Sequence, residues 1–263
     1  MAEQLSKDEH DSLVDDHDTL VDENEQPFLD HIIELRARIL RGVLAVVLLF
    51  FPIYFFANDL YGFVAAPLMA HLPHDGTMIA TEVASPFLTP FKLAIFAAVF
   101  VGMPFLLHQI WAFISPGLYK HEKRFAIPLL VSSILLFYAG VAFAYYLVFP
   151  LVFQFLAGVT PEGVTMMTDI NRYLDFILTM FFAFGIAFEI PIATMLLAAT
   201  GIATAKSMAN KRPYVIVGCF VVAMLITPPD VISQLLLAIP TWILFEVGIF
   251  FARLAEKRQE PVM

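Results

Sequence analysis

The chain has 263 residues, 60% of them hydrophobic and 14% aromatic, with mean hydropathy +0.80. Soluble domains run about 45–50% apolar, so a water-soluble globule is excluded and the sequence reads as an all-α integral membrane protein. The formal net charge of −9 is concentrated rather than spread, since half of the 24 acidic residues fall within the first 34 positions.

Residues 1–26 are polar, acidic and free of aromatic side chains, a composition that stays disordered. They have no basic stretch followed by an apolar core and do not read as a cleavable signal peptide. Pro27 can open a helix whose broad apolar face is Phe28, Leu29, Ile32, Ile33 and Leu35. That helix feeds the first of six apolar runs, at about 39–57, 93–114, 125–149, 173–200, 213–227 and 231–252. Residues 27–253 thus read as one six-helix transmembrane domain, followed by a short tail at 254–263.

A helix needs about 20 residues to cross a hydrocarbon core of ~30 Å. The first four runs suffice. The fifth has 15 residues, about 22 Å at 1.5 Å per residue, and Glu246 shortens the uncharged part of the sixth. Thr227, Pro228, Pro229 and Asp230 join these two as a tight hairpin. A short hairpin must thin the bilayer, tilt little or lie against a partner. The longest connection, 58–91, holds Pro67, Pro73, Pro86, Pro90 and Gly76, and would form a cap on one face if ordered.

Lys and Arg accumulate in cytoplasmic loops. With the N-terminus inside, the inner side holds Lys7, Arg36, Arg38, Arg41, Lys120, Lys123, Arg124, Lys206, Lys211, Arg212, Arg253, Lys257 and Arg258. The outer side holds only Lys92 and Arg172. This split of 13 against 2 places both termini in the cytoplasm. Cys219, the single cysteine, allows no internal disulfide.

No catalytic constellation, phosphate-binding loop, zinc-protease motif or nucleophile elbow is present, so the chain does not read as an enzyme and implies no cofactor. His71 and His74 in "HLPHD" lack a third ligand, and no metal is expected there. Three carboxylates remain. Glu122, in "YKHEKR", is either a solvated residue paired with Lys120 or Arg124 or an anion presented to a cationic partner. Glu34 either pairs with Arg38 one helical turn on or adds a second anion at the same surface. Glu189, near the middle of the fourth run, is costly in a bilayer, by about 2.5–3.5 kcal/mol on insertion scales. It must face the protein interior, a wet cavity or a partner, as a neutral hydrogen-bond donor or a proton-linked switch. Pro191 can loosen the backbone beside it. Gln234 reads as glue between helices, and Trp111 and Phe113 as interfacial anchors.

In order along the chain, "HIIELRARIL", "TEVASPFLTPFK", "WAFISPGLYKHEKR", "LLFYAGVAFAYYLVFP", "FGIAFEIPI", "KRPYVIVG" and "ITPPDVISQLLLAIP" resemble the TatC family, the multi-spanning subunit of the twin-arginine protein translocase. The resemblance covers about 30–253. It implies a cup-like fold of six transmembrane helices in the bacterial cytoplasmic membrane. It implies a receptor that binds twin-arginine signal peptides of folded precursors. With the single-span partners TatB and TatA, in several copies, that receptor exports its cargo on the proton-motive force. By motif, Glu34 and Glu122 would receive the arginine pair, and Phe113, Arg36 and Lys120 would belong to the same cytoplasmic patch. Glu189 would meet a polar residue of a partner's span, with Met224, Thr227 and Gln234 on the docking helices. Pro67 and Asp230 would be functional positions of the outer face. Lipid is the other neighbour, and no nucleic acid is implied. The rival reading is a proton-coupled secondary transporter working through Glu189.

Overall fold

The computed structural model describes residues 32–70, 77–114, 123–161, 164, 167–227 and 231–259. The acidic tail, His71, His74, Lys120, Glu122, Pro228, Pro229 and Asp230 lie outside the described residues.

Among the described residues the fold is entirely helical apart from one isolated bridge. The first helix, α1, spans Ile32–Tyr54. It is followed by α2 (Ala57–Met69) and α3 (Ser85–Ile114). Next, α4 (Lys123–Phe143) continues through a π turn (Ala144–Val148) into α5 (Phe149–Gly158). Then come α6 (Ile170–Ala187), α7 (Ile190–Ala199), α8 (Ala205–Asn210), α9 (Arg212–Ile226) and α10 (Val231–Gln259). Among the described residues, five spans are long and apolar enough to cross a membrane: Ile32–Tyr54, Ser85–Phe113, Ile127–Gly158, Ile170–Ala199 and Val231–Leu254. The 15-residue α9 is apolar but shorter.

Several elements differ from the hydropathy reading. The connection 58–91 contains α2 and the first two turns of α3, which starts at Ser85 because prolines are tolerated in a first helical turn. The fourth run is broken at Phe188 and Glu189, with Pro191 at the start of α7. The sixth run is not short. Its helix passes Glu246 without interruption because both carboxylate oxygens accept from Arg212, Nε and Nη2 each at 2.6 Å. That fork joins the start of α9 to a point 15 residues along α10, so α9 matches only the first half of its partner. Gln234 Nε2, donating to Phe220 O at 3.2 Å, ties the other end of the same pair.

Half of the α6–α7 span is buried, against 6% of α1, which makes α6–α7 the axis of the bundle. Its core is aromatic and aliphatic: Phe149, Phe184, Leu174, Ile177 and Met180 are fully buried. The helices approach where side chains are missing. A Cβ on Gly140 would meet Phe184 O at 2.5 Å, and one on Gly185 would meet the Phe137 ring, so α4 and α6 cross on small residues. At Gly248, α10 lies against Pro191 and Thr194 of α7 in the same way. The helix α1 runs antiparallel to α3, with Gly42 beside Leu106, Gly102 beside Leu49, and Phe50 and Tyr54 on Phe91.

The bundle has two distinct ends. One gathers the described cations Arg36, Arg38, Arg41, Lys206, Lys211, Arg212 and Arg253. The other holds α2, and there a clasp fixes the chain to α6. Ile79 bridges Asp169 through Ile79 N to Thr168 O at 3.0 Å and Ile170 N to Ile79 O at 2.9 Å. Asp169 is the N-cap of α6, its Oδ1 accepting from the backbone N–H of Asn171 and of Arg172. Its Oδ2 accepts from Thr81 Oγ1 at 2.7 Å and Thr81 N at 2.9 Å. Beside it, Lys92 of α3 donates to Asp175 at 2.5 Å and Asn171 at 3.3 Å on α6.

The Thr81 hydroxyl, the Thr81 N–H and the two α6 amides hold the Asp169 carboxyl well below the usual carboxylate range. A depressed folded value means that the ionised form stabilises the fold, fully above the unfolded value of about 3.9 and less as pH falls through the folded one. Asp169→Asn keeps the shape and removes the charge. Thermal unfolding of the detergent-purified protein should show a lower midpoint for Asp169→Asn. The gap to wild type should be constant above about pH 5 and shrink in strong acid.

Candidate functional site

At the basic end, Glu34 lies one turn before Arg38 on α1. Arg38 donates to Glu34 Oε1 through Nε at 3.0 Å and Nη2 at 2.5 Å. The Glu34 side chain keeps 38% exposure, and no described group engages its Oε2. Arg36 is exposed on the same helix. Phe113 is half-buried in the last turn of α3, two residues after the buried Trp111. The antiparallel register of α1 on α3 carries Glu34 and Phe113 to the same level of the bundle. Glu122 adjoins Lys123, the first residue of α4. The structure therefore brings Glu34, Arg36 and Phe113 to one end, while Lys120 and Glu122 lie outside the described residues.

Glu189 is placed inside the bundle. It caps the break between α6 and α7, with its N–H on Ile186 O at 3.0 Å. Ser133 of α4, 1% exposed, donates its hydroxyl to Glu189 Oε2. Ser133 stands ten residues into α4, about 15 Å from the first residue of that helix. Glu189 Oε1 is buried and has no hydrogen-bond partner among the described residues. One oxygen is fixed by a hydroxyl and the other is left for a donor from outside the chain or for a proton.

The α9–α10 hairpin holds the remaining residues. Met224 is exposed on α9. Thr227 is buried, its hydroxyl spent on Ala223 O at 2.9 Å, and Gln234 is spent on Phe220 O. Thr227 closes the last turn of α9, Gln234 ties α10 to α9, and Met224 is the one that faces outward. Pro67 is half-buried inside α2, at the opposite end from Glu34.

Sequence reasoning missed Ser133, Asp169 and the Arg212–Glu246 fork. Asp169 carried a signal, since "TDIN" before an apolar periodic run is an N-cap signature. Ser133 carried none, because a serine in an apolar run reads the same whether it faces lipid or a carboxylate. An apolar cleft of about 310 Å³ between α1, α2 and α3, lined by Ile53, Phe56, Asp59, Leu60, Ala97 and Val101, offers no convergent polar groups.

The model of the TatC family, Sec-independent protein translocase protein, matches residues 30–240. The chain belongs to that family. It is 61% identical to the Sec-independent protein translocase protein TatC of Azotobacter chroococcum, over 90% of this chain and 93% of that one. It is 57% identical to the protein of the same name from Haemophilus influenzae, over 89% and 92%. With that of Escherichia coli K12 it shares 56% identity over 87% and 88%. Its fold is similar to a crystal structure of the twin arginine translocase receptor TatC, with TM-score 0.78, 37% identity, and 86% and 99% coverage. A second such structure, in DDM, gives TM-score 0.76 at 35% identity, covering 84% of this chain and 99% of that one. A proton-coupled transporter is not favoured.

Ser133→Ala leaves the Glu189 carboxylate without its described donor. Stranding a buried polar group costs about 1–3 kcal/mol. The unfolding midpoint in detergent should fall by about 2–4 °C for each kcal/mol. Ser132→Ala, one position away, should stay within about 0.5 kcal/mol of wild type. Equal midpoints for the two variants would remove Ser133 from the account of Glu189.

Proposed function

We propose that this chain is the signal-receiving subunit of a twin-arginine translocase in a bacterial cytoplasmic membrane. It crosses six times, with both termini and the basic end in the cytoplasm, and α9 serves as the short fifth crossing. Working in several copies with TatB and TatA, it exports folded precursors on the proton-motive force. The observation that supports this most is family membership over 30–240 together with the gathering of Glu34, Arg36 and Phe113 at the cation-rich end.

The chemistry fits arginine. Guanidinium pairs with carboxylate through a planar fork that lysine cannot reproduce, and it stays charged when partly desolvated. Among the described residues Glu34 is held by an intrahelical pair, worth about 0.3–0.5 kcal/mol. An incoming charge-assisted hydrogen bond contributes about 1.5–3 kcal/mol, so a signal arginine can displace Arg38 or take Oε2 beside it. Glu122 supplies the second carboxylate, with Lys120 at its flank. Glu189 meets a polar residue of a partner's span through Oε1, and the exposed Met224 lies on the helix pair that docks such spans, with Thr227 and Gln234 fixing that pair's shape. Pro67 and Asp230 act at the outer face.

A photo-crosslinker at Phe113 tests this in membranes. It should capture an Arg-Arg signal peptide and fail with the Lys-Lys version, and Glu34→Gln or Glu122→Gln should cut the Arg-Arg yield about tenfold or more. Equal capture of all four combinations would place recognition elsewhere.

A further inference from the structure

A proline inside a helix has no N–H, so the carbonyl four residues earlier loses its usual donor. In water that carbonyl would be hydrated. In hydrocarbon it must find another donor within the protein. Helices α2 and α3 carry interior prolines at Pro67, Pro90 and Pro104, and two of them, Pro67 in α2 and Pro104 in α3, strip carbonyls that α4 and its π turn reach. The carbonyls they strip are Phe63 O and Phe100 O. Each is met by a tyrosine of the α4–π-turn segment. Tyr145 Oη donates to Phe63 O at 2.9 Å, and Tyr138 Oη donates to Phe100 O at 2.8 Å.

The match extends beyond the two hydrogen bonds. The Tyr145 ring stacks on the ring of Phe63, with centroids 4.8 Å apart and planes within 9°, so one residue is gripped by ring and carbonyl together. Phe137, next to Tyr138, lies against the ring of Phe100 at 5.8 Å. Tyr138 and Tyr145 are seven residues apart, two helical turns, and the second sits in the π turn Ala144–Val148. Tyr173 of α6 donates to Val64 O, the carbonyl next to Phe63 O, at 2.8 Å. The turn of α2 before Pro67 is thus held by tyrosines from two other helices.

We propose that Tyr138 and Tyr145 are positioning residues that register α4 against α3 and α2 by donating to the two carbonyls that Pro104 and Pro67 leave without a helical donor. Each proline then acts through the acceptor it exposes, not only through a kink. The pairing is specific: Tyr145 belongs with Pro67, and Tyr138 with Pro104. This inference stands on helix chemistry and does not depend on the translocation reading.

Two double-mutant cycles on the full-length protein in detergent test it, read as thermal unfolding midpoints. Tyr145→Phe and Tyr138→Phe remove only a hydroxyl, and each should lower the midpoint by about 2–4 °C. Pro67→Ala returns an N–H to Phe63 O. In that background, whatever it costs alone, Tyr145→Phe should lose most of its effect, and Tyr138→Phe should keep its own. Pro104→Ala should show the reverse selectivity. This swap of dependence is the readout that loss of packing alone would not produce. Losses that add in all four combinations would overturn the proposal, as would tyrosine variants with no effect beside intact prolines. Should Pro104→Ala fail to fold, the Pro67 cycle with Tyr138→Phe as its control decides the matter alone.

Discussion

Hydrocarbon supplies no hydrogen bonds, and this single constraint explains the polar architecture of the bundle. Where the chain interrupts a helix, a side chain of its own or of another element supplies a partner at several points. The break at Glu189 receives the Ser133 hydroxyl from α4. The start of α6 receives its own Asp169 side chain, and the same carboxylate reaches Thr81 across 88 residues of sequence. Elsewhere the helices meet on glycine, where van der Waals contact replaces a hydrophobic effect that lipid would not supply.

Charge is arranged by the same logic. The ion pairs lie toward the ends of the bundle: Lys92–Asp175 beside the α2 clasp, and Glu34–Arg38 and Arg212–Glu246 toward the basic end. Glu189 stands apart as an acid deep in the bundle with one oxygen unmet by the described residues. An unmet acid at depth is costly unless a proton or a donor from outside the chain completes it. On the proposed reading, Glu34 and Glu189 serve different encounters, one at the basic end with a peptide and one inside the bundle with a partner's helix.

Much of this was legible in the sequence, and the limits have physical causes. Hydropathy located the apolar runs because lipid selects composition directly, and the Lys and Arg asymmetry marked two ends that the fold keeps apart. Glu34, Glu189 and Gln234 announced themselves by being polar in apolar surroundings. The helix α2 falls within a connection by hydropathy because its 13 residues are too few to span, and it packs against α3 and α5. Glu246 reads as shortening the uncharged part of the sixth run because its partner Arg212 lies 34 residues away in sequence. Ser133 and the tyrosines were invisible for the same reason: their roles are set by which carbonyl or carboxylate another helix brings to them.

The most direct measurement is export of a folded reporter. Cells lacking their own multi-spanning translocase subunit but keeping the single-span partners would express this chain. The reporter would carry either an Arg-Arg or a Lys-Lys signal. Appearance of the folded Arg-Arg reporter across the membrane, with the Lys-Lys reporter retained, is the expected result. Retention of both while the chain is stably inserted, or equal passage of both, would contradict the assignment of this protein as the receptor that reads paired arginines.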